Sequence, residues 1–149
     1  MKRFALLALL LAAVLFTGCL SPKVNFKIEP NPIEVTVNQT ALTGIKLKVT
    51  LSGFSLAYTV EAAVVELYDD EGELVFTTTE EIDITIPVVS GIGETIDLPD
   101  VSLSEIYAEI DPAFTEAIYN EKLLGKTYKL KITLTGKNPT EDTADIIFK

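Results

Sequence analysis

Apolar residues recur at every second position along most of this chain, and that period constrains the fold more than any other feature. Ile45, Leu47, Val49 and Leu51 fall on one side of a segment whose other side carries Lys46 and Lys48. Tyr128, Leu130, Ile132 and Leu134 repeat the pattern around Lys129 and Lys131. Side chains alternate between two faces only in an extended strand, so each segment reads as a strand with one face in a core. The same reading applies to 24–29, 33–37, 44–51, 58–68, 74–79, 81–87, 94–98, 127–135 and 143–148. Pro30-Asn31-Pro32, Asn38-Gln39-Thr40, Ser52-Gly53, Asp69-Asp70-Glu71-Gly72, Gly91-Ile92-Gly93 and the run from Gly136 to Asp142 supply the turns. Eight or nine short strands at this spacing predict a mainly β protein, an immunoglobulin-like or fibronectin-like β-sandwich.

One segment departs from period two. Ile106, Ile110, Phe114 and Ile118 lie four apart, the stripe of an amphipathic helix. Asp111-Pro112 reads as an N-cap followed by proline at the first helical position. The expectation is a helical insert near 104–124, with a short turn before Asp111 and a longer helix from Pro112 to Leu124. Gly125 is expected to close it in the left-handed conformation, with Lys122 near the negative end of the helix dipole.

The N-terminus has a separate logic. Lys2 and Arg3 precede an apolar run from Phe4 to Phe16, and Thr17-Gly18-Cys19 follows. A basic start, a short apolar stretch and a small residue at the cut site are the marks of a secretory signal. A membrane-crossing helix needs roughly 20 apolar residues, which disfavours the rival reading of an uncleaved anchor. Leu15-Phe16-Thr17-Gly18-Cys19 resembles the lipobox of prokaryotic lipoproteins, departing from it at Phe16, where Leu, Val or Ile is commoner. The resemblance implies that Cys19 receives a diacylglycerol and becomes the first mature residue. The expected organisation is a signal peptide at 1–18, a lipidated tether at 19–23 and one β-sandwich domain at 24–149. The partner so implied is a membrane, reached through lipidated Cys19, either the cell membrane or an outer membrane, with the domain outside the cytoplasm. Two acyl chains hold a protein firmly where one does not. Cys19 is the only cysteine, so no internal disulfide can form, and stability must come from the core.

Charge narrows the partners. The chain carries a formal net charge of −10, and loss of Lys2 and Arg3 with the signal makes it two units more negative. Between Val49 and Glu121 there is no Lys or Arg. Nucleic acid, which requires a basic surface, is excluded as a partner. The overall charge also predicts repulsion from anionic lipid headgroups.

The chain has no histidine, and its cysteine is allotted to the lipid. A Ser-His-Asp triad, a Cys-His dyad and the usual zinc sites are therefore absent, and Gly91-Ile92-Gly93-Glu94 lacks the further residues of a phosphate loop. No catalytic residue and no cofactor are expected. The weak metal candidates are Asp69, Asp70, Glu71 and Glu73, because calcium takes six to eight oxygen ligands; Glu80, Glu81 and Asp83 are weaker still. These carboxylates lack the spacing of an EF-hand, and acidic residues are ordinary at hairpin tips. Tyr58, Tyr68, Tyr107, Tyr119 and Tyr128 are candidates for a binding surface, although Tyr128 falls where sandwiches place a structural tyrosine corner. Asn38-Gln39-Thr40 is also a glycosylation sequon.

From Ser52 onward the order of features resembles the late-embryogenesis-abundant type 2 domain, also called the water-stress and hypersensitive-response domain. The features are a long strand ending Glu66-Leu67-Tyr68, an acidic-Gly turn, Ile84-Thr85-Ile86-Pro87, a Gly turn, a short helical insert, and Gly125-Lys126-Thr127-Tyr128-Lys129-Leu130-Lys131. Ser52-Gly53-Phe54-Ser55 stands where that family has an Asn-Pro-Asn turn. The resemblance implies an immunoglobulin-like sandwich without catalytic residues. Together these readings predict a non-catalytic, membrane-anchored lipoprotein that contacts a protein or another envelope component. The alternative is a binding protein for a small ligand or divalent cation that uses the acidic central region.

Overall fold

A computed structural model describes residues 23–52, 57–87, 93–136 and 138–149. The signal segment and Cys19 lie outside the described residues, as do Gly53, Gly91 and Ile92. Among the described residues, ten strands and two helices follow in order. They are β1 (Lys23–Glu29), β2 (Ile33–Val35), β3 (Ala41–Leu42), β4 (Lys46–Ser52), β5 (Ala57–Tyr68), β6 (Leu74–Pro87), β7 (Glu94–Asp97), β8 (Val101–Ser102), α1 (Leu103–Ile110), α2 (Glu116–Lys122), β9 (Thr127–Gly136) and β10 (Thr140–Phe148).

The strands form a three-stranded sheet, β1-β4-β7, and a five-stranded sheet, β2-β10-β9-β5-β6, with β3 and β8 as a small pair beside them. Pairing is antiparallel throughout except for β2, which runs parallel to β10 from Ile33 beside Ile146 to Val35 beside Phe148. Both sheets contribute to one core: Phe26, Leu47 and Ile96 from the first, and Val65, Leu130 and Ile146 from the second. This is an immunoglobulin-like β-sandwich with a helical insert. The alternation seen in the sequence sets its register, since a slip of one residue would turn Leu47, Val49 and Leu51 outward and bury Lys46 and Lys48. Among the described residues, no polar or charged side chain other than tyrosine is buried.

Pro30-Asn31-Pro32 carries the chain from one sheet to the other, and the peptide bonds before both prolines are cis. Asn31 Oδ1 accepts the Asp145 N–H at 3.1 Å, fixing this crossing to β10. The crossing is tied a second time where the Ile28 N–H donates to Asp142 Oδ2 at 3.0 Å.

Several local expectations need correction. The segments 74–79 and 81–87 form one strand of 14 residues, β6, bulged near Ile82 and Asp83, where Asp83 takes φ +45°. Lys23 belongs to β1 and not to the tether. The two-residue strands β3 and β8 carry no readable period.

The insert is also divided differently from expectation. The longer helix, α1, comes before Asp111, and Asp111 is its C-cap, in an extended conformation. Pro112 disfavours the helical region for the residue before it, so α1 must stop there. Asp111 Oδ1 then accepts the Ala113 N–H at 3.0 Å, and α2 begins later, behind Thr115, whose hydroxyl accepts from the Ile118 N–H at 3.4 Å. Gly125 does take positive φ, +77°, but two residues beyond the Leu123 C-cap.

Candidate functional site

The turn between β5 and β6 is built by Asp69. Its Oδ1 accepts the N–H groups of Glu71 at 3.0 Å and Glu73 at 2.8 Å, while Gly72, at φ +88°, supplies a left-handed position. Backbone bonds from Asp69 N–H to the Glu73 carbonyl and from Gly72 N–H to the Asp69 carbonyl close the loop. Asp70 points the other way, to Lys126, with a shortest contact of 3.3 Å. Of the four metal candidates, then, Asp69 is committed to the turn and Asp70 to a lysine. Among the described residues, no group of three or more His, Cys, Asp or Glu side chains is placed to hold a metal ion.

The turn forms one wall of an open cleft of about 600 Å³; the start of β9, at Thr127, Tyr128 and Lys129, and Asp145 of β10 form the rest. Burial raises the Tyr128 hydroxyl pKa above its ordinary value, and the nearby Asp69 and Asp70 carboxylates add to the shift. Burial likewise raises that of Tyr68, whose hydroxyl donates to Glu66 Oε1 at 3.2 Å. These shifts leave both phenols protonated at neutral pH.

Three of the five tyrosines share one aromatic cluster, Tyr107 edge-on to Tyr119 at 6.2 Å and both Tyr119 and Tyr128 against Phe148. Tyr128 is buried edge-on against Phe148, ring centroids 5.2 Å apart, in a structural role. The buried Tyr58 hydroxyl donates to the Asn138 carbonyl at 2.7 Å and pins the start of β5 to the β9–β10 connection. Tyr119 on α2 is buried and reaches the backbone carbonyls of Val35 and Lys149. Tyr107 stacks on Phe114 at 4.2 Å with its hydroxyl buried and without a partner; burial, followed by the influence of Tyr119, pushes its pKa up to about 12. Glu80, Glu81 and Asp83 lie along β6, the edge strand of the five-stranded sheet, and Asn38 is exposed in a turn.

Period two reads each strand separately, so it misses what the register assembles. Lys131 sits between Glu66 of β5 and Glu141 of β10, 3.2 and 3.3 Å away, on the outer face of the five-stranded sheet. Its ammonium donates to both carboxylates, and these hydrogen bonds raise its pKa.

Among the described residues, no helix is long and apolar enough to cross a membrane. No protein-family model and no curated protein matches the chain. Among solved structures, a protein from Archaeoglobus fulgidus aligns over 87% of this chain and 96% of its own, at 12% identity and a TM-score of 0.45. The CARDB domain of a Pyrococcus furiosus protein, crystallised in complex with di-metal ions, aligns over 86% and 89%, at 14% identity and a TM-score of 0.34. The sporulation control protein of Bacillus subtilis aligns over 87% of this chain and 49% of its own, at 14% identity and a TM-score of 0.35. At these values the likenesses carry no argument about function.

Proposed function

We propose that this chain is an extracytoplasmic lipoprotein, held at the cell membrane or an outer membrane by lipid on Cys19. Its sandwich serves as a non-catalytic binding or structural module of the cell envelope. The observation that carries this reading is Thr17-Gly18-Cys19 at the end of a short apolar run, only four residues before β1 begins at Lys23. Cleavage before Cys19 would leave a lipidated residue and a very short tether ahead of the domain. The absence of histidine and the commitment of the one cysteine to lipid support a role without catalysis. The order of features shared with the late-embryogenesis-abundant type 2 domain supports it as well.

Mass spectrometry of the mature N-terminus, from membranes of a host with the lipoprotein pathway, tests the proposal beside a Cys19→Ser variant. The expected result is a diacylglyceryl Cys19 at the N-terminus, lost in the variant. An intact, unmodified N-terminus in both would overturn the reading.

A further inference from the structure

The two outer faces of the sandwich differ in charge. On the five-stranded sheet, Glu34, Glu66, Glu81, Glu141 and Asp145 outnumber Lys129 and Lys131. The three-stranded sheet is reversed. Lys23 and Lys27 of β1 and Lys46 and Lys48 of β4 are all exposed, against Glu29 and Asp97. In a chain of net charge −10 this is a locally basic face. Lys27 stands directly opposite Lys48 in the register, an arrangement that costs stability in isolation. Glu29 reaches Lys48 at 2.7 Å, and Asp97 lies 3.9 Å from Lys46, so both acids of the face are already engaged by lysines.

We propose that the outer face of β1, β4 and β7 docks on the anionic surface of the bilayer that holds the chain, an inference that rests on the lipid-anchor reading above. The chain enters this face at Lys23. Four residue steps separate Lys23 from Cys19, so a fully extended tether spans at most about 14 Å. The tether holds the Lys23 end of β1 close to the anchor, and a face-on orientation brings the other lysines of β1 and β4 to the headgroups as well. Overall charge predicts repulsion, but distance decides against it. Packed sheets lie about 10 Å apart, while the screening length at physiological salt is about 8 Å. Face-on docking brings Lys27, Lys46 and Lys48 within one screening length of the lipid and leaves the acids of the five-stranded sheet beyond it. A lysine held near an anionic leaflet contributes about fivefold to binding, and four lysines against Glu29 and Asp97 leave this face a net excess of two positive charges.

The test uses the lipidated protein in vesicles of phosphatidylcholine with or without 30% phosphatidylglycerol. A single cysteine introduced as Thr50→Cys reports on the proposed face, and Thr143→Cys reports on the opposite one. Lipidated Cys19 has no free thiol, so the new cysteine alone takes a fluorophore, and headgroup-labelled lipid quenches it by proximity. The expected result is several-fold stronger quenching at residue 50 than at residue 143. That preference should require phosphatidylglycerol, disappear at 0.5 M salt, and be lost in a Lys27→Gln, Lys46→Gln, Lys48→Gln variant with an unchanged unfolding midpoint. Equal quenching at the two sites, or a preference indifferent to phosphatidylglycerol, overturns the docking face alone. A mass spectrum of the same sample with no lipid on Cys19 overturns the anchor reading, and the docking face with it.

Discussion

The Tyr119 hydroxyl donates to the backbone carbonyl of Val35, 3.1 Å away. The Lys149 carbonyl lies at 3.0 Å and shares the same proton. This phenol ties α2 to the parallel pair of β2 with the end of β10, and the ring packs edge-on against Phe148. The Val35 carbonyl also accepts the Lys149 N–H at 2.8 Å, so removing the hydroxyl loses a hydrogen bond without orphaning that acceptor, a cost of about 0.5–1.5 kcal/mol. Tyr119→Phe is expected to destabilise by that amount in urea unfolding. Tyr107→Phe removes a buried hydroxyl that has no partner, and should be neutral or stabilising. Equal losses in the two variants would refute the assignment.

The bulge in β5 rests on two neighbouring residues of β9. The Thr135 hydroxyl accepts the Ala62 N–H and donates to the Ala62 carbonyl, both at 3.1 Å, where the register between β5 and β9 shifts. A Cβ at Gly136 would stand 2.5 Å from the Thr59 carbonyl oxygen, closer than packing allows. Thr135→Val should cost about 1–2 kcal/mol through the unsatisfied backbone groups. Gly136→Ala should cost more than ~1 kcal/mol, because the native backbone must move to admit it. Thermal unfolding of both variants checks this pair.

Two ion-paired groups, Asp111 and Lys131, give opposite pH signatures. The Ala113 N–H and Lys122, whose ammonium is 3.0 Å away, hold the Asp111 carboxyl below its ordinary pKa. The stability it adds is present above its unfolded pKa of about 3.9 and is lost as pH falls through the lower folded value. Lys131 is shifted upward by Glu66 and Glu141, so its contribution is present below about pH 10.4 and is lost as pH rises through the higher folded value. Asp111→Asn should therefore flatten the acid limb of the stability profile, and Lys131→Met the alkaline limb. A variant that flattened the other limb would contradict these assignments.

Millimolar calcium is expected to leave the unfolding midpoint unchanged. Asp69 Oδ1 already accepts two N–H groups and Asp70 is paired with Lys126, so the turn offers few free oxygens to a cation that takes six to eight. A site saturated 100-fold above its Kd would add about 2.7 kcal/mol and raise the midpoint by several degrees. Such a rise, lost in Asp69→Asn, would restore the divalent-cation alternative.

Most of the architecture was legible because one rule, apolar residues facing inward at every second position, operates within a few residues. β1, β4, β5, β9 and β10 were each readable from their own side chains. The insert was legible as helical, but the roles on either side of Asp111 were not. Asp followed by Pro suits both the start of one helix and the end of another, and only the docking of Tyr119 and Leu123 into the core chooses between them. The acidic turn was legible as a turn, whereas its engagement by Glu71, Glu73 and Lys126 depends on where the backbone places those groups.

The sequence by itself determined which side of each strand is apolar, where the chain turns and which chemistry its residue types exclude, because these depend on neighbours along the chain. Only the tertiary structure decided that Lys27 faces Lys48, that Lys131 stands between Glu66 and Glu141, and that Tyr119 closes on Val35. Those partners lie between 10 and 84 positions apart, and no local period records distances across a folded core.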